Sequence, residues 1–340
     1  MKKLYGYQRG INFGGWFSQC DNSEERYDSF IKEADFKTVK DWGLDHVRIP
    51  VDYNLVQNSD GSFKENGFNR IQNCIDLCHR YGLNMILDLH KTIGYSFDVE
   101  EKEAGFFENK KYQEYFYSLW EEFARRFGDN DNLAFELLNE VSEEELKDIW
   151  NDIALKAIKR IRRYAPDIKI LIGGYHNNSV LAVKDLLPPC DENIVYNFHC
   201  YNPLVFTHQG AYWIPQMDQS FRMKFDLPQK EYIRITKQIL GDWREEGVED
   251  SDQIIDESYF ERLFKEAIDI AEERDVALYC GEYGVINLAD PEDTLKWLRC
   301  IRNVFEKYGI GRAVWSYREM DFGIVDEHYD GVRKELVELL

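Results

Sequence analysis

The chain has 340 residues, and its 63 Asp and Glu against 42 Lys and Arg give a formal net charge of −21 at pH 7. That charge repels a phosphate backbone and an anionic lipid surface at long range, so no nucleic-acid and no membrane partner is expected. Apolar residues make up 44% of the chain, beside only 22 Gly and 8 Pro, which excludes a disordered or low-complexity protein.

No run approaches the roughly 20 apolar residues of a membrane-spanning helix. Met1-Lys2-Lys3 is followed by no apolar stretch or small-residue cleavage site, so the protein is expected to be cytoplasmic, or secreted if this sequence is a trimmed, mature form. The seven cysteines are odd in number and form no C-x-x-C pair. Neither a disulfide framework nor structural zinc is expected, and the chain is expected to be a monomer.

In chain order, short apolar or β-branched runs alternate with segments of helical period. Residues 10–16 and 45–51 give the first two strands. Phe68, Ile71, Ile75 and Cys78 mark one face of a helix over 66–81, closed by Gly82. Residues 84–90 form the third strand, and Tyr112, Tyr115, Phe116, Leu119 and Phe123 line a helix ending at Gly128. Residues 133–140 form the fourth strand. Ser142 and Glu145 read as a capping box for the helix that follows, which runs until Pro166. Runs at 169–174, 193–201, 277–284 and 311–317 supply strands five to eight, with helices near 257–274 and 291–308.

Eight strands, each followed by a helix and spaced by about 40 residues, predict an α/β fold of the (β/α)8 or TIM barrel type. One catalytic domain over residues 1–340 is expected. Residues 202–256 are too long for a barrel loop and read as an inserted subdomain after strand six. Its aromatic residues Phe206, Tyr212, Trp213, Phe221, Phe225, Tyr232 and Trp243 suit either a lid over the cleft or a small satellite core.

The functional signal lies in how the strands end. Arg48 interrupts the second strand, His90 ends the third, and Asn139-Glu140 end the fourth. His199 and Tyr201 end the sixth, Glu282 the seventh and Trp315 the eighth. In a barrel these positions converge on the face that carries catalysis. Two carboxylates facing each other there suit glycosidic cleavage, in which one protonates the leaving oxygen and the other attacks or stabilises the anomeric carbon. The attacking carboxylate must stay ionised, and Arg48 reads as its partner. A metal site built from His90, His199, Glu140 and Glu282 is the competing reading and would make activity sensitive to chelation. None of the seven histidines lies within eight residues of another, which argues against it. No metal and no other cofactor is expected. His46 and His79 read as satisfied core or surface residues, whereas His176 follows the fifth strand closely enough to reach the cleft.

Phe135-Glu-Leu-Leu-Asn-Glu140 resembles the Asn-Glu proton-donor motif of glycoside hydrolase family 5, and Cys280-Gly-Glu-Tyr-Gly284 resembles that family's nucleophile strand. Gly10–Trp16, His46–Pro50, Leu87–His90 and Asn197–Tyr201 are similar to further family segments, in the same order, over nearly the whole chain. Within the family the chain looks most like bacterial endoglucanases of the cellulase and lichenase type. The resemblance implies a retaining endo-β-1,4-glucanase acting on a β-glucan oligo- or polysaccharide, with Glu140 as general acid/base and Glu282 as nucleophile. It also implies that Asn139 binds the 2-hydroxyl, that Arg48 and Tyr201 hold Glu282, that His90 and His199 bind sugar hydroxyls, and that Trp315 forms a stacking floor. Trp16 is assigned to the cleft as well. Other family specificities (β-mannanase, β-1,3-glucanase, exo-β-glucosidase) and a non-catalytic carbohydrate-binding barrel stay open.

Overall fold

The computed structural model describes residues 1–98 and 104–340. Its eight strands are β1 (Gly10–Asn12), β2 (His46–Asp52), β3 (Asn84–Lys91), β4 (Leu133–Glu136), β5 (Lys169–Gly173), β6 (Ile194–Cys200), β7 (Ala277–Tyr283) and β8 (Gly311–Val314). Each pairs in parallel with the next, and β8 pairs with β1, so the sheet closes in sequence order. The predicted (β/α)8 barrel is the architecture observed.

Alternation along the strands sorts side chains between two apolar environments. Val47, Ile49 and Val51 of β2 and Met85, Leu87 and Leu89 of β3 join the large core beneath the surrounding helices. Ile86, Ala134, Leu171, Val195, Ala277, Tyr279 and Ala313 point inward and form a second cluster with Leu4 and Tyr7, which precede β1. This plug fills the N-terminal half of the barrel, and polar side chains fill the half above it.

The helices form where the apolar period places them. Glu65–Tyr81 buries Phe68, Ile71, Cys74, Ile75 and Cys78 on one face, and Lys110–Phe127 buries Phe116, Leu119, Trp120 and Phe123. The helix expected after Ser142 begins later. A short 3-10 turn, Glu144–Leu146, leads into the helix Lys147–Ile161, and Ser142 caps neither. Its hydroxyl lies 2.9 Å from the Tyr95 hydroxyl, and its own N–H donates to the same oxygen at 3.0 Å. Trp16 lies in the core rather than the cleft: it stacks on Phe17 with ring centroids 4.0 Å apart and donates its indole N–H to the Tyr27 carbonyl.

The segment over 202–256 contains the helices Leu204–Thr207 and Gln229–Leu240. Phe206, Phe225 and Tyr232 are buried in the main core, not in a satellite core of their own. Trp213 packs instead in a small cluster with Trp315, Phe322 and Tyr201 at the barrel mouth, while Tyr212 and Trp243 are exposed. Among the described residues no helix is long and apolar enough to cross a membrane.

Candidate active site

Above the apolar plug the barrel interior is ionic. Arg48 is fully buried, as are Asp88 and Glu136. The guanidinium grips Glu136 with two N–H groups, Nε to Oε2 at 2.7 Å and Nη2 to Oε1 at 2.8 Å. Nη1 donates to Asn12 Oδ1 at 2.9 Å and to Glu282 Oε1 at 2.8 Å. Nη2 also reaches Asn139 Oδ1 and Asp88 Oδ2, each at 2.9 Å. A planar fork with several donors is what one buried cation needs to offset the desolvation of so many partners. The neighbouring carboxylates hold the Arg48 pKa well above its ordinary value against the opposing effect of burial.

Arg48 thus fixes one oxygen of Glu282, and the Tyr201 hydroxyl donates to the other, Oε2, at 2.9 Å. Gly281, the residue before Glu282, sits where a side chain cannot. A Cβ there would lie 2.8 Å from Asn197 Oδ1 and 3.0 Å from His199 Nε2. Its N–H donates to Asn197 Oδ1 and its carbonyl accepts from Asn12 Nδ2, which pins the strand beside the nucleophile candidate.

Glu140 arrives differently. β4 ends at Glu136, four residues earlier than its sequence suggests, and Leu137–Glu140 leave the sheet. Asn139 still donates its backbone N–H to the Leu89 carbonyl at 3.1 Å, and Glu140 itself takes a left-handed backbone with φ 46°. The Tyr95 hydroxyl holds the Glu140 carbonyl at 2.6 Å. The carboxyl meets His199 Nδ1 through Oε1 at 2.8 Å and Asn177 Nδ2 through Oε2 at 3.1 Å. His199 Nδ1 also lies 3.7 Å from Glu282 Oε2, and carboxylate oxygens of Glu140 and Glu282 come within 4.8 Å of each other.

His90 lies one barrel layer above Asp88, with Nδ1 2.5 Å from Asp88 Oδ2. Its ring is parallel to Trp315, tilted by 1° at a centroid distance of 5.9 Å, and Phe97 meets it edge-on at 4.9 Å. The residues expected at the site (Arg48, His90, Asn139, Glu140, His199, Tyr201, Glu282 and Trp315) therefore all reach the C-terminal mouth of the barrel. His176 does not join them. It is exposed and rests edge-on against Tyr175. His46 is a satisfied core residue between Asp45 and the Tyr279 hydroxyl.

The two carboxyls differ in their partners. Burial pushes Glu140 up to about 7, opposed by the amide of Asn177 and then by Arg48. Burial also raises Glu282, but the Arg48 guanidinium opposes that rise and the Tyr201 hydrogen bond adds to the opposition. The direct contact with a guanidinium favours ionisation of Glu282 before Glu140. Burial lowers His199 to about 4 and His90 well below its usual range, so both imidazoles are neutral at neutral pH. Burial raises Asp88 to about 7, next to His90 and Arg48.

Among the described residues one trio of metal-ligating side chains converges: Glu140, His199 and Glu282. The trio fits a divalent ion poorly, because both oxygens of Glu282 already accept hydrogen bonds, one from a guanidinium at 2.8 Å.

Asn12, Asp88, Glu136, Asn177, Asn178 and Asn197 also line the site, although none of them ends a predicted strand run in the sequence. For three of them the signal was present. Asp88 stands two residues before His90, Asn197 two before His199, and Glu136 on the same strand run as Glu140. Strand residues two apart share a face.

The sequence profile of the family described as "Cellulase (glycosyl hydrolase family 5)" matches residues 9–321. Cellodextrinase A of Ruminococcus flavefaciens is 52% identical over 313 residues, covering 92% of this chain and 86% of that protein. Endoglucanase C of Acetivibrio thermocellus is 36% identical over 342 residues, covering 99% and 98%. Among solved structures, Cel5A of Thermotoga maritima in complex with cellobiose has the same fold, with a TM-score of 0.78 at 24% identity over 98% of this chain and 97% of that one. With a family profile that matches residues 9–321, and relatives alike over 92% and 99% of its length, the chain belongs to glycoside hydrolase family 5, the cellulases.

Proposed function

We propose that this glycoside hydrolase is a retaining endo-β-1,4-glucanase that uses Glu282 as nucleophile and Glu140 as general acid/base. The observation that carries the reading is the pairing of two carboxyls, with oxygens within 4.8 Å, in unequal surroundings. Glu282 is ion-paired to Arg48, whereas Glu140 meets only neutral donors. Retaining enzymes hold their carboxyls about 5–5.5 Å apart, whereas inverting ones leave about 6.5–9.5 Å for a water.

In the first step an oxygen of Glu282 attacks the anomeric carbon. The bond to the glycosidic oxygen breaks as that oxygen takes the Glu140 proton, leaving a glycosyl ester on Glu282. In the second step Glu140, now a carboxylate, takes a proton from water while the water oxygen attacks the anomeric carbon. The ester bond breaks and Glu282 leaves as a carboxylate.

Arg48 can only donate, so Asn139 turns its Oδ1 to Arg48 and leaves its Nδ2 donors for the sugar 2-hydroxyl. The Trp315 face would carry the same sugar by stacking, with His90 and His199 at its hydroxyls. The endo reading draws on the likeness to endoglucanase C. A preference for short cello-oligosaccharides is the second reading, favoured by the likeness to a protein named cellodextrinase A. Viscosity loss measured against new reducing ends on a soluble β-glucan separates the two.

The mechanism is tested by azide rescue. Glu140→Ala should lose most activity on natural glucan. With an activated aryl cellobioside, azide should restore turnover and yield the β-glycosyl azide, because azide attack on the ester needs no base. Glu282→Ala should release the α-azide instead. An absence of azide product from both variants would refute the double displacement.

A further inference from the structure

The Glu140 carboxyl is held in part from one unusual turn. After β5, His176, Asn177 and Asn178 take consecutive left-handed conformations, with φ of 48°, 55° and 57°. Non-glycine residues rarely do so singly, and Asn tolerates this region better than most. The turn is docked on the chain just past Glu140: the His176 N–H donates to the Ser142 carbonyl at 3.1 Å and the Asn177 N–H to the Val141 carbonyl at 3.0 Å. Ser179 closes it with an N–H bond to the Tyr175 carbonyl at 3.1 Å.

From this turn two adjacent amides act in parallel. Asn177 Nδ2 donates to Glu140 Oε2 at 3.1 Å. Asn178, fully buried, places Nδ2 3.4 Å from His199 Nε2. The other ring nitrogen of His199, Nδ1, meets Glu140 Oε1 at 2.8 Å. The strained turn therefore directs one donor to Oε2 itself and packs a second amide against the imidazole that meets Oε1. The Asn177 side chain is exposed at the rim of the site and contributes nothing to the apolar core.

We propose that Asn177 is a positioning residue for the reaction: its amide orients the Glu140 carboxyl for its successive roles as acid and then as base. This rests on the assignment of Glu140 as the acid/base. A carboxyl in an apolar setting without donors would hold its proton through the second step, when a base is required. The other titratable and charged groups around Glu140 are Arg48 from β2, Asp88 from β3, Tyr95 and Asp98 beyond β3, Glu136 from β4, His199 from β6, Tyr201 just past β6 and Glu282 from β7. None of them changes when the Asn177 amide is removed.

Asn177→Gly tests the proposal, since glycine takes a positive φ freely and preserves the turn while deleting the amide. The basic limb of the kcat/KM profile should move up by about half a pH unit, roughly threefold in proton affinity. Hydrolysis of the glycosyl-enzyme from a dinitrophenyl cellobioside, which needs the base but not the acid, should slow several-fold at pH 6 and recover with azide. Asn177→Asp keeps the shape, removes the donor and adds a like charge, so its limb should move further in the same direction. If both variants keep the wild-type limb and deglycosylation rate, the proposal is overturned. It is also overturned if Asn177→Asp moves the limb down. A Glu140→Gln variant separates this from the underlying reading. If it retains the basic limb, the assignment of Glu140 itself fails; if it loses that limb while Asn177→Gly does not move it, only the role of Asn177 fails.

Discussion

Arg48 donates through Nη1 to Glu282 at 2.8 Å and through Nε to Glu136 at 2.7 Å, so the group that holds the proposed nucleophile also neutralises a buried structural carboxylate. Arg48→Lys offers one compact ammonium in place of the planar fork and cannot serve both. The expected outcome is a fall in kcat/KM of at least about 100-fold, an acid limb moved to higher pH as Glu282 loses its counter-charge, and a lower melting temperature. Breaking a buried ion pair costs about 3–5 kcal/mol. Kinetics from pH 4 to 8 together with thermal melts would check all three, and a variant with wild-type limbs would count against Arg48 as the partner of Glu282.

The pH profile should be bell-shaped. The proposed mechanism needs Glu282 ionised and Glu140 protonated in the free enzyme, and burial places Glu140 at about 7, so kcat/KM should decline above neutrality. On an aryl substrate whose leaving group needs no proton, Glu140→Gln should lose the basic limb while keeping the acidic one. Persistence of both limbs would assign the upper one to another group.

Stability should respond to the same carboxyl with a definite sign. Glu140 binds its proton more tightly folded than unfolded, rising from 4.5 to about 7. The native state therefore holds more protons in that window, and stability falls as pH rises through it. Glu140→Gln removes this penalty. It should stabilise the fold little near pH 4.5 and most above pH 7, by on the order of 3 kcal/mol, read as a rise in melting temperature that grows with pH. Equal stabilisation at both pH values would point to packing instead.

Gly281→Ala should damage catalysis through position alone. The added methyl would sit 2.8 Å from Asn197 Oδ1 and 3.0 Å from His199 Nε2, so β7 or His199 must shift. Displacing Glu282 or His199 by a fraction of an ångström is expected to cut kcat by about tenfold or more while leaving KM within a few-fold. A crystal structure of the variant would show which element moved.

The barrel was legible because parallel strands buried on both faces repeat at regular spacing, and because ionisable residues at the ends of apolar runs are costly unless they serve a site. Arg48, Glu140 and Glu282 carried that signal. Asp88 and Glu136 carried it too, one layer deeper, but among 63 acidic residues only the inward register of their strands distinguishes them. The early end of β4 was hidden because Leu137 and Leu138 prolong the apolar run beyond Glu136, the last residue in register with β3 and β5. The Ser142 cap misled for a related reason: local spacing suited a helix start, yet a distant tyrosine took the hydroxyl. Asn177 and Asn178 gave no periodic signal, since their role depends on a left-handed turn that only the docked backbone defines.

The buried guanidinium of Arg48 meets Asn12 from β1, Asp88 from β3, Glu136 from β4 and Glu282 from β7, while Asn197 from β6 joins through Glu136. Six of the eight strands thus meet around a single cation. A partly assembled barrel, with any one of these strands unpaired, would expose that charge to water and leave the carboxyls without their geometry. Hydrolytic activity therefore reports ring closure: during refolding it should emerge with the last strand pairing, after helical signal has returned.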